Sequence, residues 1–489
     1  MRILRGPVWQ SVSMSDRLTS LDASFLYLEQ PTTAMHVGSV MIFQPPVEGF
    51  DHDKLVQIIE NRIGGIPRFR QKVRDVPGRI ANPVWVDDES FDMSYHVRRA
   101  GLPRPGTDRQ LQDFVARVQP RKLDRTRPLW EVYYVEGLHG GRVAIVTKTH
   151  HAIIDGVNAL DIAHVIVDSV RGEGLGQLSE DQAPWEPKAP PSSVELLTGA
   201  LVDAVRRPTQ VIEQVPGGLT EALNVVLRAA ESAGTVVSTV ARTAARPAPV
   251  SPLNAEVGSA RRWVMVSTDL EDYRAVRKRL AKGAYAEDVT INDVVLATIT
   301  GAFRSWLLAR GEPVQGGSVV RAMVPVSVYG DDPAGMYANQ VMACVVSLPV
   351  GEPGASMRLH QIAFAMRQQM EGGQAVGATS LANLAGFAPP TLHAIGARLG
   401  SAMSRRIYNV MITNVPGPQT PLYAGEAEML STYPVTPLAR GQALSIGITS
   451  YNGGVYYGLN ADREAMPDVD ELADSIVVSL AELKSGREP

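Results

Sequence analysis

The sequence predicts an α/β protein in which mixed sheets are backed by helices, and three observations predict it. Patterns of period two, which suit strands, alternate along the chain with patterns of three-to-four-residue spacing, which suit helices. A hairpin, with strands at 130–136 and 142–148 around a glycine-bearing turn at 137–141, runs into a helical pattern over 157–170. The length of 489 residues is too great for one ordinary core, so two or more domains are expected.

Composition bounds the function. With 45% apolar and 20% charged residues the chain is globular, and 47 basic against 51 acidic residues, a net charge of -4, argue against a general nucleic-acid binder. No run of 18 apolar residues occurs, so nothing is expected to span a bilayer. The single cysteine, Cys344, excludes an internal disulfide, fits a reducing compartment and is expected in the core. Residues 1–14 lack the apolar stretch of a signal peptide and are expected to be disordered or a mis-assigned start.

In order, Thr19-Ser20-Leu21-Asp22 reads as a capping box that opens a short helix reaching Leu28. A strand at 36–43 and helices at 51–63 and 108–118 precede the hairpin. Pro184, Pro187, Pro190 and Pro191 open, and Pro247, Pro249 and Pro252 close, a stretch with helical patterns at 194–205 and 219–240. It is expected to be a helical linker, 183–258, between an N-terminal domain, 15–182, and a C-terminal domain, 259–489. The linker helices could rest on a membrane, although they lack the lysine and arginine excess of a strong anionic-lipid anchor. Beyond it come a strand at 262–268 and a helix that Thr290 and Asp293 cap and Gly311 ends. Strands at 319–327 and 339–350, apolar helices within 380–406, a hairpin at Asn452-Gly453 and a last helix at 469–483 complete the pattern. No 20-to-50-residue repeat is present, and the glycine pairs form turns rather than a phosphate loop.

The chemistry concentrates where the hairpin meets the following helix, at His150-His151-Ala152-Ile153-Ile154-Asp155-Gly156. A side chain there can leave the sheet edge while strand and helix hold its backbone. An imidazole, with an ordinary pKa of about 6.5, is partly neutral at cellular pH and can take a proton from a hydroxyl. Neighbours on an extended chain face opposite ways, so one ring can occupy the site and the other its wall. A zinc site is poorly supported, because the histidines are adjacent rather than four apart and Cys344 is distant in sequence. No Gly-x-Ser-x-Gly elbow exists for a serine triad. The bland alternative makes Asp155 a helix cap and both histidines buried turn residues.

The motif resembles the His-His-x-x-x-Asp-Gly signature of the bacterial wax ester synthase/acyl-CoA:diacylglycerol acyltransferases. That family is a branch of the superfamily holding chloramphenicol acetyltransferase and peptide-synthetase condensation domains. Pro128-Leu129-Trp130 is similar to the family's Pro-Leu-Trp motif, Asn292-Asp293 to its Asn-Asp pair, and Asn409-Val410-Met411-Ile412-Thr413-Asn414-Val415-Pro416-Gly417-Pro418 to a further signature. The opening helix, with Asp22, Phe25 and Glu29, also looks like the family's, and the resemblance runs from about Ser15 to the C-terminus.

The resemblance implies two chloramphenicol acetyltransferase-like domains with an active-site tunnel at their interface. It implies an O-acyltransferase that moves a long acyl chain from acyl-CoA, a co-substrate, to diacylglycerol and also to a fatty alcohol. His151 would be the general base and His150 its support, with Gly156 allowing the backbone turn. Asp155 would orient the motif through a salt bridge to Arg68 or Arg70. Asn292 would assist the oxyanion or serve as scaffold, and Pro128, Leu129 and Trp130 would shape an acyl channel or pack the core. Neither a metal nor a permanently bound cofactor is expected. The enzyme would sit in the cytoplasm, peripherally on the inner membrane face or on lipid droplets. Two alternatives stay open: another hydroxyl acceptor such as a polyketide or glycolipid, or a non-catalytic lipid-binding or droplet protein.

Overall fold

The computed structural model describes residues 17–47, 49–153, 162–172, 185–199, 247–280, 289–328, 340–371, 376–377 and 407–486. The expectations for residues 1–14, the linker helix at 219–240 and the helices within 380–406 lie outside these residues, and the linker helix expected at 194–205 is described, and helical, as far as 199. In chain order the strands are β1 (His36–Gln44), β2 (Gln71–Arg74), β3 (Val84–Asp87), β4 (Val97–Gly101), β5 (Trp130–Glu136), β6 (Val143–His150), β7 (Arg261–Asp269) and β8 (Val320–Val328). They continue as β9 (Gln340–Leu348), β10 (Val376–Gly377), β11 (Val410–Pro416), β12 (Tyr423–Ala424), β13 (Ala427–Val435), β14 (Leu444–Tyr451) and β15 (Gly454–Asp462).

Two large mixed sheets result, as the sequence predicts. The first has the order β12-β13-β1-β6-β5-β4, antiparallel except where β4 runs parallel to β5. The second has the order β10-β9-β8-β11-β14-β15-β7, with β11 parallel to both β8 and β14. β2 and β3 form a separate ribbon.

Local chemistry explains the framework. Asp51 accepts from the Lys54 amide at 2.9 Å and starts the helix His52–Ile63, whose Leu55, Ile58, Ile59 and Ile63 lie on one face and are buried under the first sheet. Each such side chain contributes about 1.5–3 kcal/mol by leaving water. A Thr107–Gln110 capping box opens the helix Asp108–Val118. The helix Ile291–Ala309 starts with the predicted Thr290–Asp293 box and buries residues all round, from Asp293 to Phe303, at the centre of the second core. Cys344 is buried in that core. Asn452 and Gly453, both with positive φ (43° and 84°), make the tight turn between β14 and β15.

Two departures from the local pattern have tertiary causes. The helix expected over 157–170 ends at Ile166, because Asp168 instead exchanges backbone hydrogen bonds of 2.8 Å with Tyr423 and pairs with Arg62. The strand expected at 142–148 runs on to His150, because β1 pairs with it as far as His36 opposite His150.

The halves of the chain interlock. β13, from the second half, pairs with β1 in the first sheet. It also passes so close to the second sheet that a Cβ on Gly458 would lie 1.8 Å from the Pro434 carbonyl oxygen. Arg261, 7% exposed, reaches across to the Thr32 carbonyl. β1 lies equally close to β6: a Cβ on Gly38 would sit 2.0 Å from the Thr147 carbonyl oxygen, which also accepts from the Gln119 side-chain amide at 2.9 Å. Gly38→Ala is therefore expected to cost about 1–3 kcal/mol by overpacking. Urea unfolding should show a lower midpoint at an unchanged slope; a wild-type midpoint would mean that β1 shifts without penalty.

Candidate active site

β6 is a central strand, buried along its whole length between β1 and β5. Its end is pinned by three backbone bonds. The His150 amide donates to the Leu129 carbonyl, the His151 amide to the Met35 carbonyl and the Ile153 amide to the His150 carbonyl, all at 2.9 Å. The chain thus turns sharply after His150 while both histidines stay attached to neighbouring segments.

The two imidazoles occupy different environments, as strand alternation requires. His150 is 1% exposed and meets His36, its partner across the ladder, edge to face with ring centroids 5.8 Å apart. Its Nδ1 accepts from the Ala152 amide at 3.0 Å, so the neutral ring carries its hydrogen on Nε2. Burial, reinforced by the neighbouring His36, holds the His150 pKa down at about 3. His151 is half-buried and stacks on Phe25, centroids 4.0 Å apart and planes inclined by 23°.

Phe25 belongs to the helix Ser20–Leu28, which Thr19 caps by accepting from the Asp22 amide at 3.1 Å. One turn beyond Phe25, Glu29 places a carboxylate only 2% exposed beside the other two rings. Its Oε1 lies 3.3 Å from His36 Nε2 and 3.8 Å from His150 Nε2, and its Oε2 accepts from Arg125 at 2.7 Å. Burial alone would raise the Glu29 pKa, but the neighbouring His36 and His150 and the Arg125 guanidinium outweigh it and hold the group at about 2. His36 Nδ1 donates to the Gln119 carbonyl at 3.2 Å, and burial lowers its pKa. On the same face of β6, Lys148 bonds the Arg121 carbonyl and lies 3.5 Å from Glu131; burial lowers its pKa to about 8 against the pull of that carboxylate.

In the second half, Asn292 at the start of the helix Ile291–Ala309 accepts on Oδ1 from the Asn414 amide at 3.0 Å. With its oxygen engaged, its own amide hydrogens are left to donate. Asp293 is occupied in the helix cap, and burial raises its pKa. Two cavities lie at the joint between the halves. A small one of about 10 Å³, room for one water, reaches His36, Gln119, Arg261 and Asn460. A groove of about 420 Å³ runs between Arg109, Met265 and Asp474. His151 lines neither.

A sequence model of the wax ester synthase/diacylglycerol acyltransferase catalytic domain matches residues 18–295, and one of the family's C-terminal domain matches residues 337–484. This chain belongs to that family. It is 30% identical to the probable diacylglycerol O-acyltransferase tgs1 of Mycobacterium tuberculosis, over 96% of each chain. It is 43% identical over 54% of its own length to tgs3, a probable enzyme of the same kind from that organism, covering 97% of the relative. The solved wax ester synthase/diacylglycerol acyltransferase from Marinobacter aquaeolei VT8 superposes with a TM-score of 0.65 at 28% identity, covering 96% of this chain and 99% of that one. A trichothecene 15-O-acetyltransferase from Fusarium sporotrichioides shares the fold, with a TM-score of 0.60 at 12% identity over 97% of each chain.

Placed on the family's motifs, the structure brings His150, His151 and the Pro-Leu-Trp segment together, and separately Asn292 with Asn414. Pro128, Leu129 and Trp130 are all buried. Trp130 donates to the Phe69 carbonyl at 2.8 Å and stacks on His96 at 4.5 Å, while the Leu129 carbonyl anchors His150. These three residues build the wall behind the histidines. Asp155 and Gly156 lie outside the described residues. Of the two arginines expected to meet Asp155, Arg68 lies over the Trp85 ring at 4.3 Å and Arg70 over the Trp185 ring at 4.5 Å. Glu29 and Arg125 are the residues that motif reading did not assign. A carboxylate at the C-terminal end of a short helix runs against the helix dipole, and that mismatch was the available signal.

The buried rings predict how stability depends on pH. The pKa of His150 is lowered to about 3 and that of His96 to about 4, against 6.5 when unfolded. Below pH 6.5 the unfolded chain therefore binds protons that the native chain refuses, and stability falls on acidification by about 1.4 kcal/mol per pH unit for each histidine at most. Glu29, lowered from 4.5 to about 2, adds its own loss only below pH 4.5. Urea titrations from pH 7.5 to 5 should show this slope, and His150→Asn should flatten it; an unchanged slope in that variant would contradict burial of a neutral His150.

Proposed function

We propose that this chain transfers a long-chain acyl group from coenzyme A to the hydroxyl of diacylglycerol, and also of a fatty alcohol, with His151 as general base. The observation that carries this reading is the unequal treatment of adjacent imidazoles. His150 is sealed, with Nδ1 taken by the Ala152 amide, whereas His151 is half-buried at the strand end against Phe25. The stack on Phe25 and the amide pinned to the Met35 carbonyl support a fixed position for the His151 ring.

In the proposed reaction His151 takes the proton of the acceptor hydroxyl as its oxygen attacks the thioester carbonyl. The carbon–sulfur bond breaks, and the coenzyme A thiolate leaves and recovers that proton from the imidazolium. No acyl-enzyme forms. The thiolate is a good leaving group, so one histidine serves for both transfers. Asn292 has its oxygen tied to Asn414 and its amide hydrogens disposed to donate, which supports a role for it toward the oxyanion. The buried Pro128, Leu129 and Trp130 fit a supporting role, holding the His150 backbone, better than direct substrate contact. Both substrates are lipids, and among the described residues no helix is long and apolar enough to cross a membrane. The enzyme would therefore meet its acceptor peripherally, at a membrane or droplet surface.

Purified protein given palmitoyl-CoA and dioleoylglycerol should release coenzyme A and form triacylglycerol. His151→Ala should lower the rate by at least about 10²–10⁴-fold, the usual contribution of a general base, with an unchanged circular dichroism spectrum. Turnover persisting in that variant would reject the assignment of the base. A panel including hexadecanol and glycolipid acceptors would reject the acceptor assignment if only the latter were acylated.

A further inference from the structure

We propose that Glu29 is a positioning residue of the acyl transfer, receiving the Nε2 hydrogen of His150 and docking the opening helix so that Phe25 holds His151. The proposal rests on the reading of His151 as general base.

Hydrogen-bond geometry determines the arrangement. A backbone amide can only donate, so the Ala152 contact to His150 Nδ1 leaves the hydrogen of the neutral ring on Nε2. That nitrogen and Glu29 Oε1 are both buried without a hydrogen-bond partner among the described residues and lie 3.8 Å apart, longer than a hydrogen bond, so each is the polar atom nearest to hand for the other's unmet need. Contacts of this kind are often long in unliganded enzymes and shorten once substrate is bound. His36 is held from its other side: its Nδ1 donates to the Gln119 carbonyl and its Nε2 accepts from the Leu123 amide at 3.4 Å, so the Nε2 that lies 3.3 Å from the same carboxylate oxygen has no hydrogen to give and leaves that oxygen to His150. The titratable groups facing Glu29 are the neutral His36 from β1 and His150 from β6, and the cations Arg125 and Lys122 from the segment after the helix Asp108–Val118, at 2.7 and 3.8 Å.

The same carboxylate anchors a helix. Arg125 bonds both Glu29 and the Leu26 carbonyl, each at 2.7 Å, clamping the last turn of the helix Ser20–Leu28. Phe25 sits one turn before Glu29, on the adjoining face, and is stacked on His151. One helical turn therefore holds both imidazoles, the buried ring through charge and the half-buried ring through stacking. A misplaced carboxylate would displace the aromatic as well.

Glu29→Gln keeps the shape and removes the charge, and Glu29→Ala removes both. With palmitoyl-CoA and dioleoylglycerol, Glu29→Gln is expected to lower kcat by about 10–100-fold, as loss of a partner behind a reacting group commonly does, while KM for palmitoyl-CoA stays near that of the wild type. Nitrogen NMR of histidine-labelled protein gives a second readout that a merely structural role would not move. The wild type should show one imidazole with a persistent, slowly exchanging Nε2 hydrogen, assigned by its absence in His150→Asn, and Glu29→Gln should weaken or lose it. Glu29→Asp should restore part of both signals. Wild-type kcat in Glu29→Gln, or a His150 Nε2 signal unaltered in it, would overturn the proposal. The NMR measurement needs no turnover, so it decides the Glu29 contact even if the acyl-transfer reading has failed. If Glu29→Ala does not fold, the isosteric glutamine variant still carries the test.

Discussion

The ladder between β1 and β6 is the constraint on which the rest of the structure depends. It sets His36 opposite His150, so that two imidazoles share one face of a buried sheet. On its outer side β1 pairs with β13, and through that strand the first sheet is joined to the second half of the chain. Register matters here more than strength. A slip of one residue would turn His150 outward and His151 into the core, exchanging the sealed ring for the accessible one.

The electrostatics follow from that placement. Two rings that cannot be hydrated stay neutral, and a neutral ring needs a defined tautomer. Backbone groups supply it at both positions, the Ala152 amide for His150 and the Gln119 carbonyl for His36. Between them lies an ionised carboxylate whose other oxygen is held by Arg125, so the buried negative charge is offset by a cation that keeps contact with solvent. Lys148 and Glu131 repeat the device further along β6, a second buried pair opposed to its own desolvation. The strand that carries the histidines is thus polar on a face that burial would ordinarily make apolar, and specific partners make this tolerable.

Much of this was legible in the sequence wherever the cause is local. The Thr290–Asp293 box, the Asn452-Gly453 turn, the helix Asp108–Val118 and the opposite facing of His150 and His151 depend on residues within a few positions of one another. What was not legible depends on partners distant along the chain. β13 contains Ala427, Glu428 and Pro434, weak strand signals by themselves, and its place beside β1 is set by a strand almost the whole chain away. The end of the helix at Ile166 is decided by Tyr423. Glu29 was visible as an acid in the wrong part of a helix, but its partners come from β1, β6 and the segment around Arg125, and no spacing rule connects these.

The pairing of β1 with β13 also bears on how the protein is made. A ribosome releases β1 and β6 long before residues 427–435 emerge, so the nascent first sheet exposes β1 as an open edge while most of the remaining chain is being synthesised. Closure of that edge is a late, non-local event, slow for the same entropic reason that favours local contacts early. The histidine-bearing sheet therefore reaches its final form only after residues 427–435 have emerged, and cellular factors that shield unpaired strands have a long opportunity to act on this half of the molecule.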